Sequence, residues 1–455
     1  CHDVHSVERV LEGNALCLQC HRESQYDTYD HHFHKQEGEE GEPILSDTGE
    51  VLWDVGAGAQ CETCHMPGRY YMGNDYRPDH SFRVPNPRLS AEIGAPDPCL
   101  RCHVDEDTAW SQEKVEEWYG PGLTSHYGEI LFRARRGEPE VDKDLAALAA
   151  DELYPVNVRA TAVSLLANNY PGNLTTQAVE LTLVDEKPLL RRTAVSVVRH
   201  SDGRTLARKL AQALHDPVKT VRIEAASRLA GDLSQHLDIP QTELYQAVLK
   251  EYEAAMLYSA DFPSGRYNLG NLFNSLGQPD RAVEEYEQAI RIDAEFYPAK
   301  ANLAILYNDS GNNERAEVLL REAVEEQPGM YDLAYSLGLL LVEMNNYEEG
   351  LEYLARASEG LPGRARIHYN LGLLYQQQGD LIRAEQKLVE ALVIEPENFD
   401  FLFGLADHYV KRGLFERAIP LVEGMLAAQP ENPIGMQMMR YIRNAMAARG
   451  GQDRG

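Results

Sequence analysis

A repeat of 34 residues in the C-terminal part constrains the fold of this 455-residue chain more than any other feature. In five successive copies a leucine precedes a small residue, and an aromatic residue or a leucine follows three positions later. The small residues are Gly270, Ala304, Gly338, Gly372 and Ala406, and prolines close four copies at Pro328, Pro362, Pro396 and Pro430. Repeats of this length stack into solenoids in which neighbouring units share one continuous core.

The pattern resembles the tetratricopeptide repeat, in which small residues let two antiparallel helices approach and a proline ends the second helix. The resemblance predicts five full copies over 263–432 and half of a degenerate sixth copy over 242–258. A helix over 433–447 then caps the apolar end of the stack. Such a solenoid presents a concave face, so we predict contacts with other proteins or with sister subunits. We interpret His368 and His408 as packing or surface residues.

A second, shorter pattern lies upstream, over residues 142–235. Three segments share a proline, then an arginine and then an alanine, and the arginines are Arg159, Arg191 and Arg222. Steps of 32 and 31 residues separate these arginines. Proline at a helix start, followed by small residues on one face, resembles short HEAT-like repeats of paired helices.

The N-terminal part carries a different signature, Cys-x-x-Cys-His, three times within 103 residues. The motifs are Cys17–His21, Cys61–His65 and Cys99–His103, with second cysteines Cys20, Cys64 and Cys102. This signature attaches c-type haem, because two thiols at this spacing reach the two vinyl groups of one porphyrin. The adjoining histidines, His21, His65 and His103, are then placed to bind the iron as proximal ligands.

The chain opens with Cys1 and His2, which is how a fourth motif looks when its first three residues are missing. Acylation of Cys1, as in a lipoprotein, is an alternative. The cut motif is favoured because His2 follows at once. The sequence then predicts four haem c groups, the first with an incomplete motif and with His2 as its proximal ligand. Zinc and disulfides are the alternatives for the cysteines as a group.

Each haem iron has a second axial position, and the other histidines of this region are the candidates for it. The candidates are His5, His31, His32, His34, His80 and His126. Six candidates for four irons are enough to saturate every iron, which favours electron transfer. An iron with an open position would instead bind substrate.

Charge and hydropathy limit the partners and the location of the protein. The net charge is −29, so phosphates would be repelled and nucleic acid is excluded as a partner. No apolar run is long enough to predict a transmembrane segment. Because c-type haem is attached outside the cytoplasm, the predicted location is periplasmic, cell-surface or extracellular. We interpret the acidic residues of 37–42 as a solvated loop, with a calcium site as the alternative.

Residues 1–108 lack the periodicity of helices or strands and contain many turn-forming residues. Such a segment buries too little area to fold alone, so packed porphyrins are expected to supply its apolar bulk. We therefore predict a mainly α fold: an irregular multihaem cytochrome c module, a helical linker at 109–141, and an α-solenoid of HEAT-like and tetratricopeptide repeats. Trp110 and Trp118, in the linker, are interpreted as packing residues.

The whole chain resembles the C-terminal part of large multihaem c-type cytochromes that end in HEAT and tetratricopeptide repeats. The most specific segments are 61–67, Cys-Glu-Thr-Cys-His-Met-Pro, and 77–85, which contains Asp-His-Ser-Phe-Arg. The resemblance implies further haem motifs upstream. It also implies distal roles for His5, His31, His34 and His80, whereas His32 and His126 match the family less well.

The predicted function is electron transfer outside the cytoplasm through bis-histidine haems, with the repeats mediating protein–protein contacts. The predicted partners of the repeats are redox partner proteins or sister subunits. A homo-oligomer or filament is a further hypothesis, because module and repeats offer two unlike surfaces for head-to-tail contact. The rival function is a multihaem oxidoreductase of the nitrite, hydroxylamine or sulfur-compound type, which requires an iron with an open axial position. A third hypothesis is a scaffold protein in which haem has only a structural role. No catalytic residue is assigned.

Overall fold

The computed structural model describes residues 2–3, 5–6, 8–121, 126–169 and 172–452. Twenty-five helices and four short strands lie in this part of the chain, which confirms the prediction of a mainly α-helical protein. The chain divides into two compact units, Cys1–Leu206 and Ala207–Gly455. Within the described ranges, no helix is long and apolar enough to cross a membrane.

The first 108 residues form only short elements. In order these are α1 (Ala15–Leu18), α2 (Glu23–Tyr26), α3 (Tyr29–His32), β1 (Ile44–Leu45), β2 (Val51–Trp53), a 3-10 turn (Ala57–Ala59), α4 (Cys61–His65), β3 (Arg69–Tyr71), β4 (Asp75–Arg77), α5 (Pro87–Ile93) and a 3-10 turn (Cys99–Arg101). Strands β1 and β2 pair antiparallel, and β3 and β4 form a second, separate antiparallel pair. Glycines lie between these short elements where the backbone turns. Gly56 and Gly94 have φ of 97° and 70°, which other residues rarely adopt.

This N-terminal region has almost no protein core. Among its described residues, Ala59 is the only buried apolar side chain apart from Pro87 and Pro98. Fourteen large apolar side chains are exposed instead: Val10, Leu11, Tyr26, Tyr29, Leu45, Val51, Leu52, Tyr70, Tyr71, Met72, Tyr76, Phe82, Val84 and Val104. The polypeptide by itself therefore leaves exposed to solvent the apolar area that a folded domain of this size normally buries.

Longer helices complete the first unit. They are α6 (Thr108–Tyr119), α7 (Tyr127–Arg135), α8 (Asp142–Ala150), α9 (Val156–Leu166), a 3-10 turn (Ala167–Asn169), α10 (Asn173–Thr182), α11 (Pro188–Val197) and α12 (Gly203–Ala213), which crosses into the second unit. The side chain of Asp107 caps α6 by accepting a hydrogen bond from the backbone N–H of Trp110 at 2.9 Å. Apolar side chains such as Leu145 and Leu166 bury the faces on which α8 and α9 meet.

The arginines that recur in the HEAT-like segments bind backbone carbonyls. Arg191 and Arg222 each donate to the carbonyl oxygens five and six residues earlier, at 2.8–3.1 Å. Arg159 is 6% exposed and donates to the carbonyl of Ala149 and to the carboxylate of Asp185, both at 2.9 Å. These bonds fix the loops between helices. The boundary between the two units divides this predicted block, because Arg222 belongs to the second unit.

The second unit consists of helices that pack in sequence order. They are α13 (Lys219–Leu229), a 3-10 turn (Asp232–His236), α14 (Ile239–Tyr258), α15 (Pro263–Ser275), α16 (Pro279–Ile292), α17 (Tyr297–Asp309), α18 (Asn313–Glu326), α19 (Tyr331–Glu343), α20 (Tyr347–Gly360), α21 (Ala365–Gln377), α22 (Leu381–Ile394), α23 (Phe399–Lys411), α24 (Phe415–Ala428) and α25 (Pro433–Gln452). From α15 to α24, each odd-numbered helix packs against the even-numbered helix that follows it. Helix α25 extends beyond the predicted cap at 433–447.

The recurring small residues lie where the two helices of a hairpin approach. A Cβ added at Gly270 would be 2.5 Å from the ring of Tyr286, and one at Gly338 would be 2.8 Å from the side chain of Leu354. The recurring prolines follow the ends of α18, α20, α22 and α24 by two residues, as expected for residues that cannot continue a helix. Each 34-residue period is therefore one helical hairpin with a closely packed crossing.

The two histidines inside the repeats are buried. His368 is 6% exposed, and its ring nitrogens lie 3.0 Å from the Glu390 carboxylate and 3.0 Å from the Pro362 carbonyl. His408 is 1% exposed, and its Nδ1 lies 2.8 Å from the side-chain oxygen of Gln376. Both histidines therefore pack within the stack.

Candidate functional site

Each Cys-x-x-Cys-His motif forms a single helical turn. The backbone N–H of His21 donates to the carbonyl of Cys17 at 3.1 Å, and that of His103 to Cys99 at 3.0 Å. The second motif, Cys61–His65, is helix α4 itself. In a helical turn, residues at positions i, i+3 and i+4 share one face. Both cysteines and the histidine of each motif are therefore presented to the same side.

The six described cysteines are free thiols, and Cys1 lies outside the described residues. Burial, followed by the neighbouring Cys17 thiol, raises the pKa of Cys61 to about 12. Burial, followed by the charge of Asp97, raises the pKa of Cys99 to about 12. Within the described ranges, no three His, Cys, Asp or Glu side chains gather in a metal-binding group.

Three pairs of histidine rings face one another in this region. Each pair joins one histidine that ends a haem motif, or the cut motif, to one predicted distal histidine. The pairs are His2–His80 with ring centres 6.2 Å apart, His31–His65 at 6.2 Å and His34–His103 at 6.1 Å. The ring planes of these pairs make angles of 28°, 9° and 44°. Three of the four motif histidines thus have an imidazole opposite them.

The spacing of these rings fits two ligands on opposite sides of one metal ion. Two nitrogen–metal bonds of about 2 Å, extended by roughly 1 Å from each nitrogen to its ring centre, separate the centres by about 6 Å. The donor set therefore fits a haem iron with two axial histidines.

Hydrogen bonds at Nδ1 leave Nε2 available to a metal in three of the six paired rings. The acceptors are the carbonyl of Arg83 for His65 (2.8 Å), that of Pro78 for His80 (2.9 Å) and that of His32 for His34. Because a carbonyl oxygen only accepts, Nδ1 must carry the proton in each case. Metal-binding histidines typically donate their second ring N–H in this way.

His32 and His126 have the opposite arrangement. The Nδ1 of His32 accepts from the backbone N–H of His34 at 3.2 Å, and that of His126 accepts from Gly128 at 3.0 Å. The proton of each neutral ring is therefore on Nε2, where it blocks coordination through that atom. In the part of the chain that the structure describes, His32 Nε2 has no hydrogen-bond partner. Among the ring contacts of the described residues, neither ring is paired with a motif histidine.

The pKa values of two paired histidines are lowered. Burial is the main cause for His31, followed by the charge of the facing His65. Burial is also the main cause for His103, followed by the charge of the facing His34. The charge of His65 thus disfavours protonation of His31, and the charge of His34 disfavours protonation of His103. The neutral imidazole is the form that binds a metal.

The first motif, Cys17–His21, has no histidine ring opposite its histidine within the described ranges. The ring of His21 instead meets the edge of Tyr26, with centres 5.4 Å apart. His5 is exposed, and its backbone N–H donates to the carboxylate of Asp3 at 3.0 Å. The structure does not bring the His5 and His21 rings together, so a distal role for His5 stays a prediction.

Several aromatic side chains of the site were not predicted from the sequence. Tyr26 also meets the edge of His31, with centres 5.3 Å apart, so it lies between the His21 and His31 rings. Trp110 of α6 lies 4.7 Å from the ring of His103. Trp110 and Trp118 are eight residues apart, about two helical turns, and this spacing predicts that they pack. The spacing does not reveal that histidines are their packing partners.

One glycine is required by the site. A Cβ added at Gly58 would lie 2.3 Å from Cδ2 of His34, closer than real Cβ contacts allow. The absence of a side chain at Gly58 therefore makes room for the His34 ring opposite His103.

Comparison with known proteins identifies the repeats. A family model described as tetratricopeptide repeat matches residues 273–337, 308–374 and 375–439, so the prediction of tetratricopeptide repeats is confirmed over these residues. Among solved structures, the chain is similar to MamA (21% identity, 36% of this chain and 95% of that chain, TM-score 0.34). It is also similar to YrrB, a TPR protein with an unusual peptide-binding site (21%, 42% and 97%, 0.36), and to PilF of Pseudomonas aeruginosa (21%, 42% and 89%, 0.36). No curated protein matches the chain.

Proposed function

We propose that this protein is an extracytoplasmic electron-transfer protein that binds haem c in its N-terminal region and contacts partners through its repeats. The observation that carries the proposal is the set of three facing histidine pairs with ring centres 6.1–6.2 Å apart. Each pair includes the histidine that follows a cysteine of a haem motif. When bound, haem supplies an iron that gains and loses one electron.

The side chains of the pairs favour electron transfer over substrate binding. Two imidazoles on one iron leave no axial position for a substrate. The carbonyls of Arg83 and Pro78 hold the rings of His65 and His80 in the tautomer that exposes Nε2. These histidines are therefore oriented before any metal arrives, which reduces rearrangement when the iron changes its charge.

The lack of a core in the first 108 residues supports the same proposal. Among the described residues of this module, Ala59 and two prolines are the only buried apolar side chains, so the module needs apolar material from elsewhere. Porphyrins attached at three or four motifs would cover exposed side chains such as Tyr70, Phe82 and Val84. Covalent attachment outside the cytoplasm then implies a periplasmic, cell-surface or extracellular location.

The repeats supply the contact surface. Tetratricopeptide repeats generally mediate contacts between proteins, and the chain carries them over 273–439. The partners that we propose are redox proteins or further copies of this chain. A net charge of −29 would steer basic partners towards the protein. Head-to-tail contact between the repeats and the haem module of a second copy would form an oligomer or a filament.

A second candidate function is an oxidoreductase in which one haem iron has an axial position without a protein ligand. The observation that favours it is the ring of His21, which faces Tyr26 rather than a histidine in the described part of the chain. A haem attached at Cys17 and Cys20 would then keep one axial position for a small substrate, such as nitrite or hydroxylamine.

Mass spectrometry and optical spectroscopy test the proposal. The chain should be produced with a c-type haem maturation system, and each attached porphyrin should add about 616 Da to the intact mass. At least three additions and a spectrum of low-spin iron are expected. A colourless protein, or one that holds zinc in the place of iron, would overturn the proposal. A high-spin fraction that shifts on addition of nitrite would favour the second candidate.

A further inference from the structure

We infer that helix α6 positions the distal ligands of two different haems, His31 and His34, through the side chains of Tyr119 and Trp118. The inference rests on the proposed function, because it concerns haems bound at the His31–His65 and His34–His103 pairs. It gives α6 a role in the redox site, although its sequence position suggested a linker.

Tyr119 contacts His31 in two ways. Its hydroxyl donates a hydrogen bond to the backbone carbonyl of His31. Its ring meets the His31 ring at an angle of 72°, with centres 6.3 Å apart. The tyrosine, which is the last residue of α6, therefore contacts both the backbone and the ring of this distal ligand.

Trp118 holds the neighbouring distal ligand. The indole stacks on Phe33 with ring centres 4.6 Å apart and an angle of 3° between the planes. It also meets the His34 ring at 76°, with centres 6.2 Å apart. The stacked indole and phenyl rings thus form one wall beside His34, and the site of Gly58 forms another.

The backbone between the two distal ligands needs this support. Phe33 has φ of 55°, in the left-handed region that bulky residues rarely adopt. This single residue separates the turn that carries His31 from His34, so the two rings reach different partners. The contacts of Phe33 with Trp118 and Tyr119, whose ring centre lies 5.7 Å away, stabilise that conformation.

Helix α6 is anchored to the third haem motif. The hydroxyl of Ser111, which is fully buried, donates to the carboxylate of Asp97 at 2.6 Å. The same carboxylate accepts from the backbone N–H of Cys99 at 2.9 Å. Trp110 packs on His103, so one helix contacts both histidines of the His34–His103 pair.

The inference is tested by removing the distal histidine from each iron separately in the haem-loaded full-length chain. Trp118→Ala should free His34 from one iron, and Tyr119→Ala should free His31 from another. Carbon monoxide binding to the reduced protein, together with high-spin absorption, reports an iron that has lost a histidine. Trp118→Phe and Tyr119→Phe are the conservative variants, and Glu113→Ala on the exposed side of α6 is the control.

We expect one carbon-monoxide-binding haem per chain in each alanine variant, two in the double variant, and an unchanged haem mass in all of them. Trp118→Ala should reproduce the spectrum of His34→Ala, and Trp118→Phe should restore the low-spin state. Alanine variants that keep every haem low-spin would overturn the inference, as would loss of haem from the protein. Absence of haem from the unmodified chain would instead refute the proposed function.

Discussion

The imidazole rings of His31 and His65 lie nearly parallel, with 9° between their planes and 6.2 Å between their centres. His31 belongs to α3 and His65 ends α4, so two separate elements present their rings to one another across a gap. A separation of this size between the ring centres matches two imidazoles bound to one metal ion. The relationship leads directly to a prediction about the iron.

Replacing the distal histidine of this pair should leave one axial position of one haem iron vacant. In the haem-loaded protein, His31→Ala is expected to convert one low-spin haem to a high-spin form that binds carbon monoxide. The physical reason is that His65 alone leaves an axial position vacant. His126→Ala is the matched control, because the Nδ1 of His126 accepts a backbone hydrogen bond and its ring caps α7. Equal spectral changes in both variants would contradict the assignment of His31.

A single methyl group should disturb the His34–His103 pair. In Gly58→Ala the new Cβ would overlap the His34 ring, which cannot stay opposite His103 without a shift of backbone. We expect partial loss of the low-spin signal and a loss of stability of about 1–3 kcal/mol. Urea unfolding followed by haem absorption measures both effects.

The control for this variant is Gly329→Ala, where an added Cβ meets no atom within 4 Å. Its spectrum and its unfolding midpoint should equal those of the unmodified protein. An unaltered haem spectrum in Gly58→Ala would show that the His34 ring does not depend on this glycine.

Much of the repeat architecture could be predicted from the sequence. The 34-residue period fixes the hairpins because close helix crossings demand small residues, and Gly270 and Gly338 lie at such crossings. The end of the stack was less predictable. The 34-residue spacing does not indicate that α25 continues to Gln452, because α25 lies outside the five matching copies.

The site was predictable only in part. The motifs identify which histidines lie beside cysteines, and spacing alone brings both cysteines and the histidine to one face of a turn. Pairing depends on contacts between distant segments, such as His2 with His80, which no local pattern encodes. The contact of Tyr119 with His31 spans 88 residues and was missed for the same reason.

The first repeat should be sensitive to an added methyl group. A Cβ at position 270 would be 2.5 Å from the ring of Tyr286, which is buried and donates a hydrogen bond to Asn271 at 2.7 Å. Because this ring cannot move away cheaply, Gly270→Ala is expected to lower stability by about 1–3 kcal/mol. The shift of the urea midpoint, followed by circular dichroism, measures the loss. Gly363→Ala, which meets no atom within 4 Å, should leave the midpoint unchanged.

Acid should weaken the contact between the second and third hairpins through Glu349. The Arg321 guanidinium donates to both carboxylate oxygens of Glu349, at 2.5 and 2.7 Å, and it holds the pKa of Glu349 below its ordinary value. A lowered pKa in the folded state gives stability above the unfolded-state pKa, and this contribution is lost as the pH falls through the folded-state pKa. Because the pair is partly solvated, we expect its contribution to be on the order of 0.5 kcal/mol. Glu349→Gln should lower the urea midpoint at pH 7 and narrow the difference between pH 7 and pH 3, whereas an unchanged difference would show that Glu349 does not contribute to the acid sensitivity.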